Sequence, residues 1–298
     1  MKPDSNLKTV GDFIRWAASE FARKDVYLGH GSDSYWDEAV FLIMGALKLD
    51  INSDNWLMQC HLTDEEITIM NNALVDRIEK RIPVPYILGE AWFCGLLFKI
   101  NQNCLIPRSP IAELIQQQFQ PWLVGYPDNI LDLCTGSGCI GIAVAMEFTE
   151  SSVDLIDISP EALEIAQQNI DQFELGYRVR ALESDLLSAI VPEQQYQLIV
   201  SNPPYVDQED FNEMPEEYKH EPELGLVSGN DGLDACRRIL KEAAGYLSDD
   251  GILIVEVGNS GDALMDAYPD VEFTWLEFEM GGQGVFMLTR EQLIAKSW

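Results

Sequence analysis

From residue 130 onward, short apolar runs alternate with stretches of helical period. Ile130–Leu133, Val153–Asp157, Arg178–Leu182, Tyr196–Ser201 and Gly251–Val257 read as strands. Helices are expected after the glycines that follow Leu133 (through Met146), after Ser159-Pro160, over 233–247 and near 263–267. Phe273–Phe278 and Val285–Thr289 read as closing strands. Tyr196–Ser201 is nearly all apolar, as a strand covered on both faces must be. This alternation predicts an α/β fold with a mostly parallel, doubly wound sheet. A ligand is then expected beyond the carboxyl ends of the strands, at the switch point.

The first 82 residues have a different pattern. Val10, Phe13, Ile14, Ala17 and Phe21 recur at helical steps. A second helix is expected over 37–44, and Thr63-Asp64-Glu65-Glu66 has capping-box spacing ahead of Ile67, Met70, Leu74 and Ile78. The pattern breaks at Pro83 and Pro85. Ala91–Ile100, a turn at Asn101-Gln102-Asn103 and the run Cys104-Leu105-Ile106 then read as a β-hairpin. The expected division is a small helical domain over residues 1–88, a hairpin linker over 89–108 and the sheet domain over 109–298.

The 298 residues carry 19 bases and 50 acids, a net charge of −31. Residues 1–108 hold 11 bases and 15 acids, and residues 109–298 hold 8 and 35, so the acidity belongs to the sheet domain. Phosphate backbones are gripped by Lys and Arg, so no free DNA partner is expected, DNA being a poor fit for this charge, and a basic protein is favoured. Between Asp207 and Glu223, eight acids face one base, Lys219. His220 in this stretch reads as a loop residue beside acids. No run of 18 apolar residues is present, so no membrane partner is expected. Met1–Ser5 lacks the features of a secretory signal. The six cysteines show neither Cys-x-x-Cys nor zinc-like spacing. A reduced, cytoplasmic chain without a metal is expected.

Three features bear on chemistry. Asp132-Leu133-Cys134-Thr135-Gly136-Ser137-Gly138 follows the first strand of the sheet and opens a helix, and Gly136, Gly138 and Gly141 meet Gly-x-Gly-x-x-Gly. Such a turn lets a ligand approach the backbone, and on glycines alone a nicotinamide or flavin ligand fits equally well. Asp157 ends the second strand, where a carboxylate accepts from both hydroxyls of a ribose. Asp185, after the third, is placed to face an adenine amino group. Finally, Asn202-Pro203-Pro204-Tyr205 follows the apolar fourth strand. Two prolines stiffen the chain and leave carbonyl acceptors, Asn202 adds an amide, and Tyr205 adds an aromatic face. That set suits a planar –NH₂ group on an amide or a base.

With these motifs the chain resembles the class I S-adenosylmethionine-dependent methyltransferases that modify planar amino nitrogens. More narrowly, it resembles the HemK-type protein glutamine N(5)-methyltransferases. The likeness runs through Trp36–Ala39, Arg81–Tyr86, Ala91–Gly95, Leu105–Pro110, Asp132–Gly138, Asp157–Pro160, Asn202–Tyr205 and His220–Leu226. Arg108-Ser109-Pro110 places it nearer the branch acting on large-subunit ribosomal protein L-three than the release-factor branch. The resemblance implies a Rossmann-like fold, a substrate-recognising helical domain and S-adenosylmethionine as cofactor. It assigns Asp132, Cys134, Thr135, Gly136, Ser137, Gly138, Asp157, Asp185, Leu186 and Asn202 to cofactor binding. It assigns Asn202, Pro203, Pro204 and Tyr205 to the substrate glutamine, with Asn202, Pro203 and Tyr205 catalytic. Cys134 stands where the family often has Gly. A basic ribosomal protein is the implied partner, and the oligomeric state stays open. Three alternatives remain at this point: methylation of release factors, methylation of amino-adenine in DNA, and a non-catalytic ribosome-assembly role.

Overall fold

The structure is a computed structural model that describes residues 6–191, 193–296 and 298; the N-terminal Met1–Ser5 stretch read for a signal lies outside them. The chain divides into two compact units, one of Met1–Glu90 with Pro215–His220, the other of Ala91–Met214 with Glu221–Trp298.

The first unit is helical: α1 (Val10–Arg23), α2 (Tyr35–Ala46), α3 (Asp64–Ile78) and α4 (Val84–Leu88). Thr63 and Glu66 form the capping box expected for α3, and Thr9 with Asp12 forms a second one for α1. The α1 stripe Val10, Phe13, Ile14, Ala17 and Phe21 is wholly buried, against Leu42, Ile43, Met70 and Leu74 among others. Inside this unit lies Arg77, with no exposed surface. Its guanidinium donates to Glu38 (2.7 Å), to Glu217 (3.3 Å) and to the Tyr27 carbonyl (2.6 Å). Glu217 also accepts from Arg81 and from the Tyr27 N–H. A buried guanidinium is tolerated because its donors are matched by carboxylates and a carbonyl.

The second unit opens with β1 (Glu90–Phe93, whose first residue closes the helical unit) and β2 (Leu96–Lys99). They form a two-stranded hairpin. Its turn is Cys94-Gly95, at φ 49° and 75°, not the expected Asn101–Asn103. Two residues at positive φ give the turn whose twist matches paired strands. Cys104–Ile106 forms no strand. After α5 (Ile111–Gln116) come β3 (Asn129–Leu133), α6 (Cys139–Glu147), β4 (Ser152–Asp157), α7 (Pro160–Gln172), β5 (Val179–Glu183), β6 (Tyr196–Ser201) and α8 (Gln208–Glu213). Then follow α9 (Asp234–Glu242), β7 (Leu247–Glu256), α10 (Gly261–Ala267), β8 (Thr274–Trp275), β9 (Val285–Thr289) and α11 (Arg290–Ile294).

The sheet order is β5-β4-β3-β6-β7-β9-β8. The first five strands are parallel and β9 runs antiparallel, giving the doubly wound sheet expected. The helix expected over 233–247 stops at Glu242, and β7 already starts at Leu247. Of the strand expected at Phe273–Phe278 only Thr274–Trp275 pairs. Two apolar clusters cover the two faces, one around Ile130, Ile142, Leu155 and Ile254, the other around Leu131, Ile199, Ile239 and Leu253. Order reverses between β3 and β6, so their carboxyl ends mark the switch point.

Candidate active site

At that switch point lies a cavity of about 390 Å³. Its wall includes Cys134, Thr135, Gly136, Ser137, Asp157, Asp185, Leu186, Asn202 and Pro204. Four of the residues picked from the sequence, Asp132, Gly138, Pro203 and Tyr205, lie off this wall and serve it from behind.

The glycine turn shows how. Cys134, Gly136 and Gly138 all sit at positive φ (59°, 55° and 81°). A Cβ on Gly138 would meet Ile142, Leu155 and Ala166 at 3.1–3.3 Å, and one on Gly141 would collide with the Leu155 side chain and lie 2.9 Å from Asp132. The third glycine therefore seats α6 against the sheet. Asp132 is fully buried; its Oδ2 accepts from Thr135 Oγ1 (2.5 Å) and from the Gly141 N–H (2.9 Å). Burial pushes its pKa up to about 7, against the pull of those two hydrogen bonds. From the far side, Asn169 donates to the Ser137 carbonyl (2.8 Å) while pairing with both backbone groups of Lys99, tying the turn to the hairpin.

Asp157 Oδ2 accepts from the Gly136 N–H (2.8 Å) and Oδ1 from the Ser159 N–H (2.9 Å). The carboxylate is thereby aimed and keeps lone pairs for a further donor. Burial raises its pKa, and the Ser159 and Gly136 bonds lower it. Leu186 holds φ 51°, an uncommon conformation for a branched residue, with its carbonyl accepting from Ser184 Oγ (2.7 Å). Cys134 and Leu186, both non-glycine residues at positive φ, thus share the cavity wall, and such strain concentrates at ligand sites. Asp185 is not free to face a base with its whole carboxylate, because Arg238 of α9, also on the wall, donates to it at 2.7 Å.

Asn202 is the residue with something left over. Its Oδ1 is buried and has no hydrogen-bond partner among the described residues; the same is true of Ser137 Oγ. Unpaired buried polar atoms are costly, and two on one cavity wall point to a ligand that completes them. Tyr205, two residues beyond Pro203, turns away from the cavity. Its hydroxyl donates to Glu256 (3.0 Å), and its carbonyl accepts from Ser260 Oγ (2.7 Å). Its ring lies 2.5 Å from where a Gly258 Cβ would stand. Glu256, buried at the end of β7, also accepts from Ser109 Oγ (2.5 Å), and burial raises its pKa. Ser109 was legible only as part of a family signature; its partner at position 256 gave no sequence signal.

Further residues whose place at the site the sequence did not indicate also line the wall, beside the expected Cys134. Arg108 lines the cavity and forms a two-pronged pair with buried Glu221 (2.9 and 3.0 Å), which also accepts from the Ile106 N–H. Cys104, Cys134 and Cys139 supply sulfur to the wall. Burial pushes the Cys104 thiol up to about 12 and raises the other two further, so all three stay protonated. The acidic stretch 207–223 is not uniform. Asp207 caps α8, Glu217 is buried in the helical unit and Glu221 is buried behind the cavity, whereas Glu209, Asp210, Glu213, Glu216 and Glu223 are exposed. His220 lies in the helical unit, its ring bonded to the Lys80 carbonyl (2.8 Å), and does not line the cavity.

The donor set fits S-adenosylmethionine. The ligand needs a carboxylate at the ribose, backbone access at the glycine turn and acceptors near a cationic sulfur; Asp157, Gly136 and the unpaired Asn202 Oδ1 provide them.

Comparison with known proteins agrees with this geometry. Residues 113–217 match the family model of the Methyltransferase small domain. A relative named ribosomal protein uL3 glutamine methyltransferase, from Francisella tularensis, is 49% identical over 292 residues, covering 97% of this chain and 93% of the relative. One of the same name from Bordetella pertussis is 40% identical over 289 residues, covering 96% and 97%. Among solved structures, the catalytic domain of hMettl16 in complex with MAT2A 3′UTR hairpin 6 superposes with a TM-score of 0.53. It is 13% identical, covers 76% of this chain and 82% of that one, and shows the shared fold alone. With near-full-length identity of this order, the chain belongs to the family of ribosomal protein uL3 glutamine methyltransferases.

Proposed function

We propose that this protein transfers a methyl group from S-adenosylmethionine to the side-chain amide nitrogen of a glutamine in ribosomal protein uL3. The observation that carries the proposal is the buried Asn202 Oδ1, unpaired among the described residues, on a residue that lines the cavity together with Pro204. The relatives' names favour uL3 over release factors, and the net charge of −31 disfavours nucleic acid.

Roles follow residue by residue. Cys134, Thr135, Gly136 and Ser137 hold the methionine part of the cofactor, Asp157 its ribose, and Asp185 with Leu186 its adenine. When bound, S-adenosylmethionine supplies a methyl group activated by a positively charged sulfur. A carboxamide nitrogen is a poor nucleophile because its lone pair is shared with the carbonyl. Asn202 Oδ1 accepts an amide hydrogen, fixing the nitrogen's direction and favouring positive charge on it, while Pro203 backs Asn202 from behind the wall. Pro203 and Pro204 keep that corner rigid, and Glu256 and Ser260 hold Tyr205 at its two ends. Orientation of this kind contributes roughly 7–11 kcal/mol in favourable cases. The proton released from nitrogen passes to water.

The helical unit is assigned to recognition of uL3, and exposed Glu209, Asp210 and Glu213 to attraction of a basic substrate. A modifier of ribosomal proteins acts in the cytoplasm, and among the described residues no helix is long and apolar enough to cross a membrane. The test is incubation with methyl-labelled S-adenosylmethionine and uL3 from an unmethylated source, followed by mass mapping. Label on one glutamine of uL3 is expected; label absent from uL3 refutes the proposal.

A further inference from the structure

The corner that holds Tyr205 has a second side. An open groove of about 620 Å³ lies between the turn before α10 and the loop after β8. Gly258 is common to both places: it lines the groove, and its backbone lies against the Tyr205 ring. One wall is Trp275, held edge-on against Phe286 (5.8 Å) and beside Phe273 (5.9 Å), with Gly261 close enough that a Cβ there would touch the indole at 3.3 Å. Phe278 adds a second ring. The opposite loop is anchored, since Glu113 accepts from the Glu279 and Met280 N–H groups (2.9 and 3.0 Å). Two exposed carboxylates, Asp262 and Glu277, complete the lining. No Lys, Arg or His lines the groove, and neither carboxylate has an ion-pair partner among the described residues.

Aromatic faces beside unpaired carboxylates select for a cation on a long apolar stem, because the rings attract the charge and the stem covers their edges. We infer that this groove is a subsite for a lysine or arginine side chain of the substrate, close in sequence to the glutamine that is methylated. Placement supports this: Gly258 of the groove wall lies against the ring of Tyr205, the last residue of the Asn202–Tyr205 segment, of which Asn202 and Pro204 line the cavity. The inference rests on the proposed function and narrows its substrate to a glutamine with a basic neighbour.

Two measurements on the full chain separate the two proposals. The first is calorimetric binding of blocked tetralysine to wild type, to Asp262→Asn with Glu277→Gln, and to Glu164→Gln with Asp171→Asn, which removes the same charge from the exposed face of α7. Affinity is expected to fall at least about fivefold in the groove variant and less than about twofold in the α7 variant. Equal losses overturn the subsite. The second is the kinetics of uL3 methylation. The groove variant is expected to raise KM for uL3 about tenfold, leaving kcat and KM for S-adenosylmethionine unchanged, with a weaker dependence of KM on salt. An unchanged KM for uL3 overturns the subsite even where tetralysine binding has weakened. Wild type that leaves uL3 unmethylated sinks the function instead, and the tetralysine comparison then decides the groove.

Discussion

Replacing Asn202 with alanine removes a buried acceptor that has no partner among the described residues. The expected result is near-normal S-adenosylmethionine affinity by calorimetry and a kcat lower by about 10²–10³. Retained turnover refutes its role. Asp132 makes a different prediction, about pH. Its folded pKa of about 7 stands above the ordinary 3.8, so the native state keeps a proton that the unfolded chain has released. Its contribution to stability is therefore full below about pH 4 and is lost as pH rises toward 7, by up to ~1.4 kcal/mol per pH unit. Urea unfolding at pH 5 and pH 7.5 is expected to show this slope in wild type and a flatter one in Asp132→Asn. At this scale the sequence was informative where chemistry and geometry coincide. Asp157 and Asn202 line the cavity because one ends a strand and the other directly follows one. Asp132 and Tyr205 do not, because a motif specifies neighbours along the chain and not which way each side chain turns.

Among the elements, the end of β7 carries more than its sequence suggests. Glu256 accepts from Ser109 and Tyr205 together, so a glutamine there has one acceptor oxygen for two donors. Glu256→Gln is expected to lower kcat for uL3 about tenfold with little change in cofactor affinity, and Tyr205→Phe to do less, since it leaves Ser109 its partner. A matching fall in cofactor affinity refutes this division of roles. The hairpin teaches why some elements stay illegible. Asn101-Gln102-Asn103 has turn composition, yet the chain reverses at Cys94-Gly95, where Cys94 accepts φ 49°. Cysteine carries no turn signal, and only the pairing of β1 with β2 places it there. By contrast β6, buried along nearly its whole length, was legible to the residue because nothing competes with its apolar pattern.

For the whole molecule, charge and connectivity matter most. A net charge of −31 is expected to speed association with a basic substrate at low salt, so kcat/KM for uL3 should fall steeply as ionic strength rises while cofactor affinity changes little. A flat salt profile excludes electrostatic steering. The acidity was plain from composition, but its division was not: Glu217 and Glu221 are consumed by internal pairing. Arg77→Met leaves Glu38 and Glu217 buried without their common cation, and is expected to cost about 3–5 kcal/mol in chemical denaturation.

Glu217 reaches the helical unit from a position 140 residues beyond Arg77 along the chain. That unit is thus stitched from two distant pieces of the polypeptide. A ribosome emitting the chain has released every helix of the amino-terminal bundle long before it makes the carboxylate that satisfies Arg77, Arg81 and the Tyr27 N–H. The bundle cannot be excised or grafted as a cassette at residue 90 without losing the carboxylate that Arg77, Arg81 and the Tyr27 N–H share.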